Sequence, residues 1–214
     1  MTRTPRHRRR PEARPEEILT AALAIFAEQG FAAARVEDIA RRAGLSKGAV
    51  YLYFPSKEAM LNALVEQSAG ALARTVEQHV AQIAAADPEA ALRGLLRILF
   101  AAVSSPEVSA APRLVLTEAH RFPELANFYR EHVLDVMRRA MGALLAAAVE
   151  TGVFRDVDTD AFMRIIAGPG LAQMALTTIF DLKPDRLTDP GDLADAIADI
   201  LLYGLKPRLE SANT

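Results

Sequence analysis

The residues best equipped for chemistry in this chain are Ser46, Lys47, Gly48 and Ala49, followed by Tyr51 and Tyr53. Their chemistry is recognition of a polyanion. Ser46 is placed to cap a helix beginning at Lys47, whose free amides and cation suit phosphate oxygens, and Gly48 lets a backbone approach closely. The two tyrosines add aromatic faces with polar tips. Two further cations flank the segment. Lys57 begins a later helix, where its charge opposes the helix dipole unless an acceptor such as a phosphate lies nearby, and Arg35 begins an earlier one. Upstream, residues 1–14 hold six arginines, one histidine and almost nothing apolar, the composition of a disordered basic arm. Such an arm serves either as a solubilising tail or as a minor-groove contact.

Bond-making chemistry has no comparable support. There is no cysteine, so thiolate metal sites, iron–sulfur clusters, disulfides and thiol nucleophiles are excluded. His79, His120 and His132 lack the Glu-x-x-His or His-x-x-x-His spacings that gather ligands on one helix face, and no phosphate-binding glycine loop or nucleophile elbow occurs. No catalytic residue, metal site or cofactor is expected. The uncharged stretch from Ile165 to Phe180 is interrupted by Gly168-Pro169-Gly170 and is too short to span a membrane. The arginine-rich start leads into Glu12, Glu16 and Glu17 with no apolar segment, so it does not read as an export signal, and a cytoplasmic protein is expected.

The elements that must position these residues are all helices. Alanine and leucine dominate and alternating β-branched runs are absent. Pro15-Glu16-Glu17, Pro88-Glu89, Pro106-Glu107 and Pro123-Glu124 mark helix starts, where proline loses no needed N–H and acids complement the dipole. Gly30, Gly44 and Gly152 mark stops. About nine helices result: 15–29, 36–43, 47–54, 56–85, 88–104, 106–120, 123–151, 159–181 and 190–206, with kinks expected at Pro112 and at Gly168-Pro169-Gly170. In the first, Ile18, Leu19, Ala22, Leu23, Ile25 and Phe26 form one core-facing stripe. Helices two and three, joined through Gly44-Leu45, have the helix-turn-helix pattern, with Val50 and Phe54 turned toward the core.

Charge divides along the same line. The chain of 214 residues has a formal net charge of −2, which taken as a whole disfavours a nucleic-acid partner. Residues 1–58, however, carry 11 Lys and Arg against 7 Asp and Glu, leaving 14 basic and 20 acidic residues for 59–214. The expected organisation is an arm over 1–14, a basic helix-turn-helix head over 15–58, and an acidic helical body over 59–214.

Residues 30–61 resemble the signature of TetR-type transcriptional regulators. The resemblance lies in Gly30-Phe31, Ile39-Ala40, Ala43-Gly44, Ser46-Lys47-Gly48, Tyr51-x-Tyr53-Phe54 and Lys57-Glu58, more than a dozen positions at fixed spacing. It implies a homodimer whose third helices enter successive major grooves of a palindromic operator in double-stranded DNA, and a body that answers to a small-molecule effector. Lys47, Gly48, Ala49, Tyr51 and Tyr53 match the family's recognition-helix positions, Ser46 its cap, and Lys57 its phosphate-contacting lysine. Arg35 departs from the Thr or Ser usual at the start of helix two, which removes a cap and adds a cation.

In the body, Phe100, His120, Phe128, Met137, Met141, Met163, Gln173, Met174 and Thr177 are candidate effector contacts, because methionines adapt to apolar shapes and an amide or hydroxyl orients a ligand. Ordinary core packing is the competing reading of the same residues. The last helix places Leu193, Ile197, Ile200, Leu201 and Leu205 on one face, with Ala194, Ala196 and Ala198 making the remainder small. With residues 160–180 it is expected to supply a four-helix dimer interface, the arrangement the resemblance implies. The reading is therefore a ligand-responsive DNA-binding repressor, against the alternatives of a helical interaction module or a small helical enzyme whose head binds no DNA.

Overall fold

The computed structural model describes residues 14–178, 180, 182 and 189–206; the basic arm lies outside them except for Arg14. Among the described residues there is no strand. The helices are α1 (Arg14–Gln29), α2 (Val36–Arg42), α3 (Lys47–Tyr51), α4 (Lys57–Val65), α5 (Ala71–Ile83), α6 (Pro88–Ser104), α7 (Pro106–Glu118), α8 (Pro123–Tyr129), α9 (Asp135–Glu150), α10 (Thr159–Thr178) and α11 (Pro190–Leu205). Five-residue π-turns, Glu66–Gly70 and Arg130–Leu134, fuse α4 to α5 and α8 to α9, so the elements form nine rods.

The helix ends follow the local chemistry of the chain. Asp87 and Ser105 accept the backbone N–H groups of Ala90 (2.9 Å) and Val108 (3.4 Å), each just before a proline at the first helical position. Asp189 caps α11 in the same way, through Gly191 at 2.8 Å. Gly30 and Gly44 end their helices at φ 77° and 67°, left-handed conformations that cost a side-chain-bearing residue strain. Neither internal proline ends its helix: α7 continues through Pro112 and α10 through Pro169. The third helix is shorter than expected, because Leu52 and Tyr53 already turn away from it.

Two hydrophobic cores organise the rods. In the first, Ile18, Phe26, Phe31, Ile39 and Val50 of the head pack with Met60, Leu61 and Val65, and the cluster continues into Val115, Leu125 and Val133 of the body. The head's core therefore does not close at residue 58; α4, α7 and α8 belong to both units. In the second, Val76, Leu92, Leu96, Leu144, Phe162 and Leu202 are brought together by α5, α6, α9, α10 and α11. Rods α6 and α7 meet at 81°. No single described helix is long and apolar enough to cross a membrane.

The last helix divides differently from the expected faces: Leu205 and, in part, Leu193, Ile197 and Leu201 join the core, whereas Ile200 stays outside it and Ala196 is exposed. Ala194, Ala198, Leu202 and Leu205 point inward, against α6, while Tyr203 is 89% and Ile200 73% exposed. The small residues admit α6 closely within the monomer, and Arg93–Asp199 (2.6 Å) and Arg97–Asp195 (2.8 and 2.7 Å) flank that contact. Ile165 and Leu171 of α10 are also exposed, so both α10 and α11 carry large apolar side chains on their surfaces.

Candidate nucleic-acid interface and effector cavity

The head presents its third helix as a short, outward ridge. Val50 is fully buried and Phe54 packs against the same core, which fixes the helix and leaves Lys47, Gly48, Tyr51 and Tyr53 exposed. The Ser46 hydroxyl accepts the Ala49 N–H at 3.2 Å, the expected cap. Tyr53 lies just past the helix end. A side chain built at Gly48 would meet nothing, so the surface there is open to a close approach. Arg35 occupies the N-cap of α2 without capping it and stands exposed.

Lys47 is oriented by its neighbours. It bonds Glu37 of α2 and lies 5.7 Å from the Tyr51 ring centroid, an arrangement that couples α2 to α3 across the turn. The hydrogen bond lowers the Glu37 carboxyl below the ordinary range and raises the Lys47 ammonium. Both side chains are half-exposed, and a solvent-screened pair of that kind contributes little to stability. A base-edge or phosphate contact outweighs it.

Lys57 has a different occupation from the phosphate contact expected of it. Its ammonium donates to the carbonyls of Phe31 (2.8 Å), Ala32 (2.9 Å) and Ala34 (3.4 Å), and lies 4.7 Å from the Phe31 ring centroid. A turn 23 to 26 residues earlier in the chain thus supplies the acceptor that its place at a helix start requires. This turn follows Gly30 and joins α1 to α2.

The body holds a cavity of about 480 Å³. Leu72 and Ala73 line it from α5, Leu99, Phe100 and Val103 from α6, and Val108, Ser109, Pro112, Val115 and Leu116 from α7. Ala126 and Tyr129 of α8, Met137 and Met141 of α9, and Met163, Ile166, Gly170 and Met174 of α10 complete most of the wall. Five expected contacts, Phe100, Met137, Met141, Met163 and Met174, are therefore on it. Four are not. His120 is exposed in the turn after α7, and Phe128 instead stacks on His132, with ring centroids 3.9 Å apart. Thr177 is exposed and returns its hydroxyl to the Gln173 and Met174 carbonyls at 3.0 and 3.1 Å. Gln173 is buried, but one position round the helix from Met174 it misses the lining.

Residues 18–64 match the family model for bacterial regulatory proteins of the tetR family, and residues 84–189 match the tetracyclin repressor-like C-terminal domain. The chain belongs to the TetR family. It is 34% identical over 160 residues to the HTH-type transcriptional regulator EthR of Mycolicibacterium smegmatis, covering 72% of this chain and 71% of that one. To the HTH-type transcriptional repressor KstR2 of Mycobacterium tuberculosis it is 32% identical over 156 residues, 72% and 76% of the respective chains. The structure of the fatty acid degradation regulator FadR from Bacillus halodurans superposes with a TM-score of 0.73 at 25% identity, over 94% of this chain and all of that one.

As a TetR-family regulator the protein is a ligand-responsive DNA-binding protein, and two features of its body escape a reading of sequence. Tyr129 lines the cavity, although its place inside a helix gives no sign of it; burial pushes its phenol up. Phe122, between α7 and α8, reaches the head: its ring meets Phe31 edge-on at 4.9 Å, and Phe31 in turn meets Phe26 at 5.1 Å. Among the described residues no group of three or more His, Asp or Glu side chains is gathered for a metal.

Proposed function

We propose that this protein is a cytoplasmic, homodimeric repressor that leaves a palindromic operator when a small, largely apolar molecule enters the body cavity. One observation carries the reading: the cavity wall and the core of the DNA-binding head share α7, the α4–α5 rod and the α8–α9 rod. Occupying the cavity therefore changes the support of the head. Lys47 and the tyrosines read base edges, Gly48 gives clearance, Ala49 adds apolar contact, and Ser46 holds the helix end. Arg35 and the arm contact phosphates or the minor groove.

The dimer forms through α10 and α11, which leave Ile165, Leu171, Ile200 and Tyr203 exposed for a partner. It holds the two recognition helices the roughly 34–36 Å apart that successive major grooves demand. The effector works by binding better to a body conformation in which that spacing is lost. No enzymatic step is part of this reading; among the described residues the cavity lining holds no charged side chain.

The test is replacement of Lys47 and Tyr51 by Ala, with binding followed on an operator selected from random duplexes. Each lost base contact should weaken specific binding by about 1–3 kcal/mol. Retention of full operator affinity by the double variant would overturn the assignment of α3. Removing residues 1–12 should lower affinity and flatten its salt dependence; an unchanged salt slope leaves the arm without a DNA contact.

A further inference from the structure

Among the described residues, the cavity lining contains neither a charged side chain nor a histidine. Its side-chain polarity consists of two hydroxyls, those of Ser109 and Tyr129. Ser109 is nearly inaccessible and directs its hydroxyl to the Pro106 carbonyl at 3.5 Å. Arg113, on the same helix, is absent from the lining and turns its guanidinium toward the Ser109 and Pro106 carbonyls, both at 3.3 Å. The Tyr129 hydroxyl has no hydrogen-bond partner among the described residues. The phenol is neutral at ordinary pH and burial moves it further from ionisation, so it offers the site one O–H donor and an accepting oxygen.

An ionised carboxylate enclosed by such walls meets no cation and would have to be neutralised before it could remain there. A neutral oxygen meets Tyr129 and satisfies both partners, while an apolar group at the same place leaves the phenol unpaired. We propose that the portion of the effector enclosed by this cavity is uncharged and carries one hydrogen-bonding oxygen read by Tyr129, so that a ketone, alcohol or ester is accepted and the matching carboxylate refused. Tyr129 is then the residue that sets effector specificity. The inference rests on the effector-cavity reading above and adds to it a chemical class.

The experiment compares decan-2-one with decanoate by calorimetric titration of the full chain at pH 7.5. Wild type is expected to bind the ketone at least tenfold more tightly. Tyr129→Phe, which keeps the ring, should lose about tenfold for the ketone, change little for decanoate and leave Tm within about a degree. Decanoate bound as tightly as the ketone, or a ketone affinity indifferent to Tyr129→Phe, overturns the assignment. Met163→Trp, which fills the cavity from its wall, separates this failure from failure of the cavity itself. If binding is abolished by that folded variant yet shows no preference for the ketone, only the present inference falls. If neither compound binds, or if binding survives Met163→Trp, the effector-cavity reading falls and this inference with it.

Discussion

Replacing Lys57 by Met separates two roles that sequence alone merges, a phosphate contact and an internal clamp. Two of the ammonium's bonds, to Phe31 and Ala32 at 2.8 and 2.9 Å, have good geometry, whereas the third, at 3.4 Å, is weak. Hydrogen bonds to a charged group contribute about 1.5–3 kcal/mol each, with the lower end apt for a partly exposed site. The ring of Phe31 adds about 0.5–1 kcal/mol through its quadrupole. Methionine keeps much of the apolar stem and water reaches some of the freed carbonyls, which leaves a net loss near 2–3 kcal/mol. For a chain of this size each kcal/mol corresponds to roughly 2–4 °C, so Tm should fall by about 4–12 °C.

The decisive measurement is the salt dependence of operator binding, followed by fluorescence anisotropy well below Tm. A lost phosphate contact lowers the slope of log affinity against log salt by about 0.9, hence near 1.8 for a dimer. A clamp leaves that slope alone and weakens binding by loosening the turn between α1 and α2. A slope reduced by about 1.8 together with an unchanged Tm would refute the clamp and restore the phosphate role.

Four further outcomes are expected. Gly48→Ala fills open space inside α3 and should raise head stability by roughly 0.5–1 kcal/mol while weakening operator binding; undiminished affinity would show that the DNA backbone does not need that clearance. Arg97 holds the Asp195 carboxyl below its ordinary 3.8, so the pair's stabilisation is complete above that value and disappears as pH falls through the lowered one. Asp195→Asn should accordingly flatten the acid limb of Tm against pH, and parallel limbs would count against the pair. Ile200→Asp with Tyr203→Glu should leave the monomer core intact yet weaken association by on the order of 2 kcal/mol or more, read as a shift to monomer in sedimentation. Phe122→Ala removes an edge-on aromatic pair of about 0.5–1.5 kcal/mol, and a cavity ligand should then weaken operator binding less than in wild type, an effect absent if α8 does not transmit.

Much of this molecule is legible in its sequence because helix starts and stops are local events. Proline followed by acid, and glycine at the end of an apolar stripe, act within one turn, and α6, α7 and α8 begin where those marks place them. Facing directions are not local. Ala194 and Ala198 are compatible with a partner from another subunit or with α6, and only the packing of α6 on α11 decides for the latter. The π-turns that fuse α4 to α5 and α8 to α9 leave no compositional mark, yet they set which residues of those rods reach the cavity. The methionines were identifiable from their adaptability; Tyr129 and Phe122 are placed by rotations of α8 that no periodicity encodes. Lys57 shows the same division, since the dipole argument demands an acceptor and the acceptors arrive from a distant turn.

The seam between body and head explains how a modest ligand effect can govern DNA binding. Val115 lines the cavity and is also part of the head's core, while Phe122, just past the end of α7, touches Phe31, which Lys57 clamps. A core packed at this density shifts between discrete arrangements in place of deforming smoothly. At the same seam the Glu118 carboxylate lies beside Gly30, at the carboxyl end of α1, with its Oε2 buried and without a hydrogen-bond partner. A shift of α7 on occupation of the cavity would therefore alter the surroundings of Val115, Phe122 and Glu118 together, and through them the head; the coupling free energy of a typical allosteric pair of sites is about 1–3 kcal/mol.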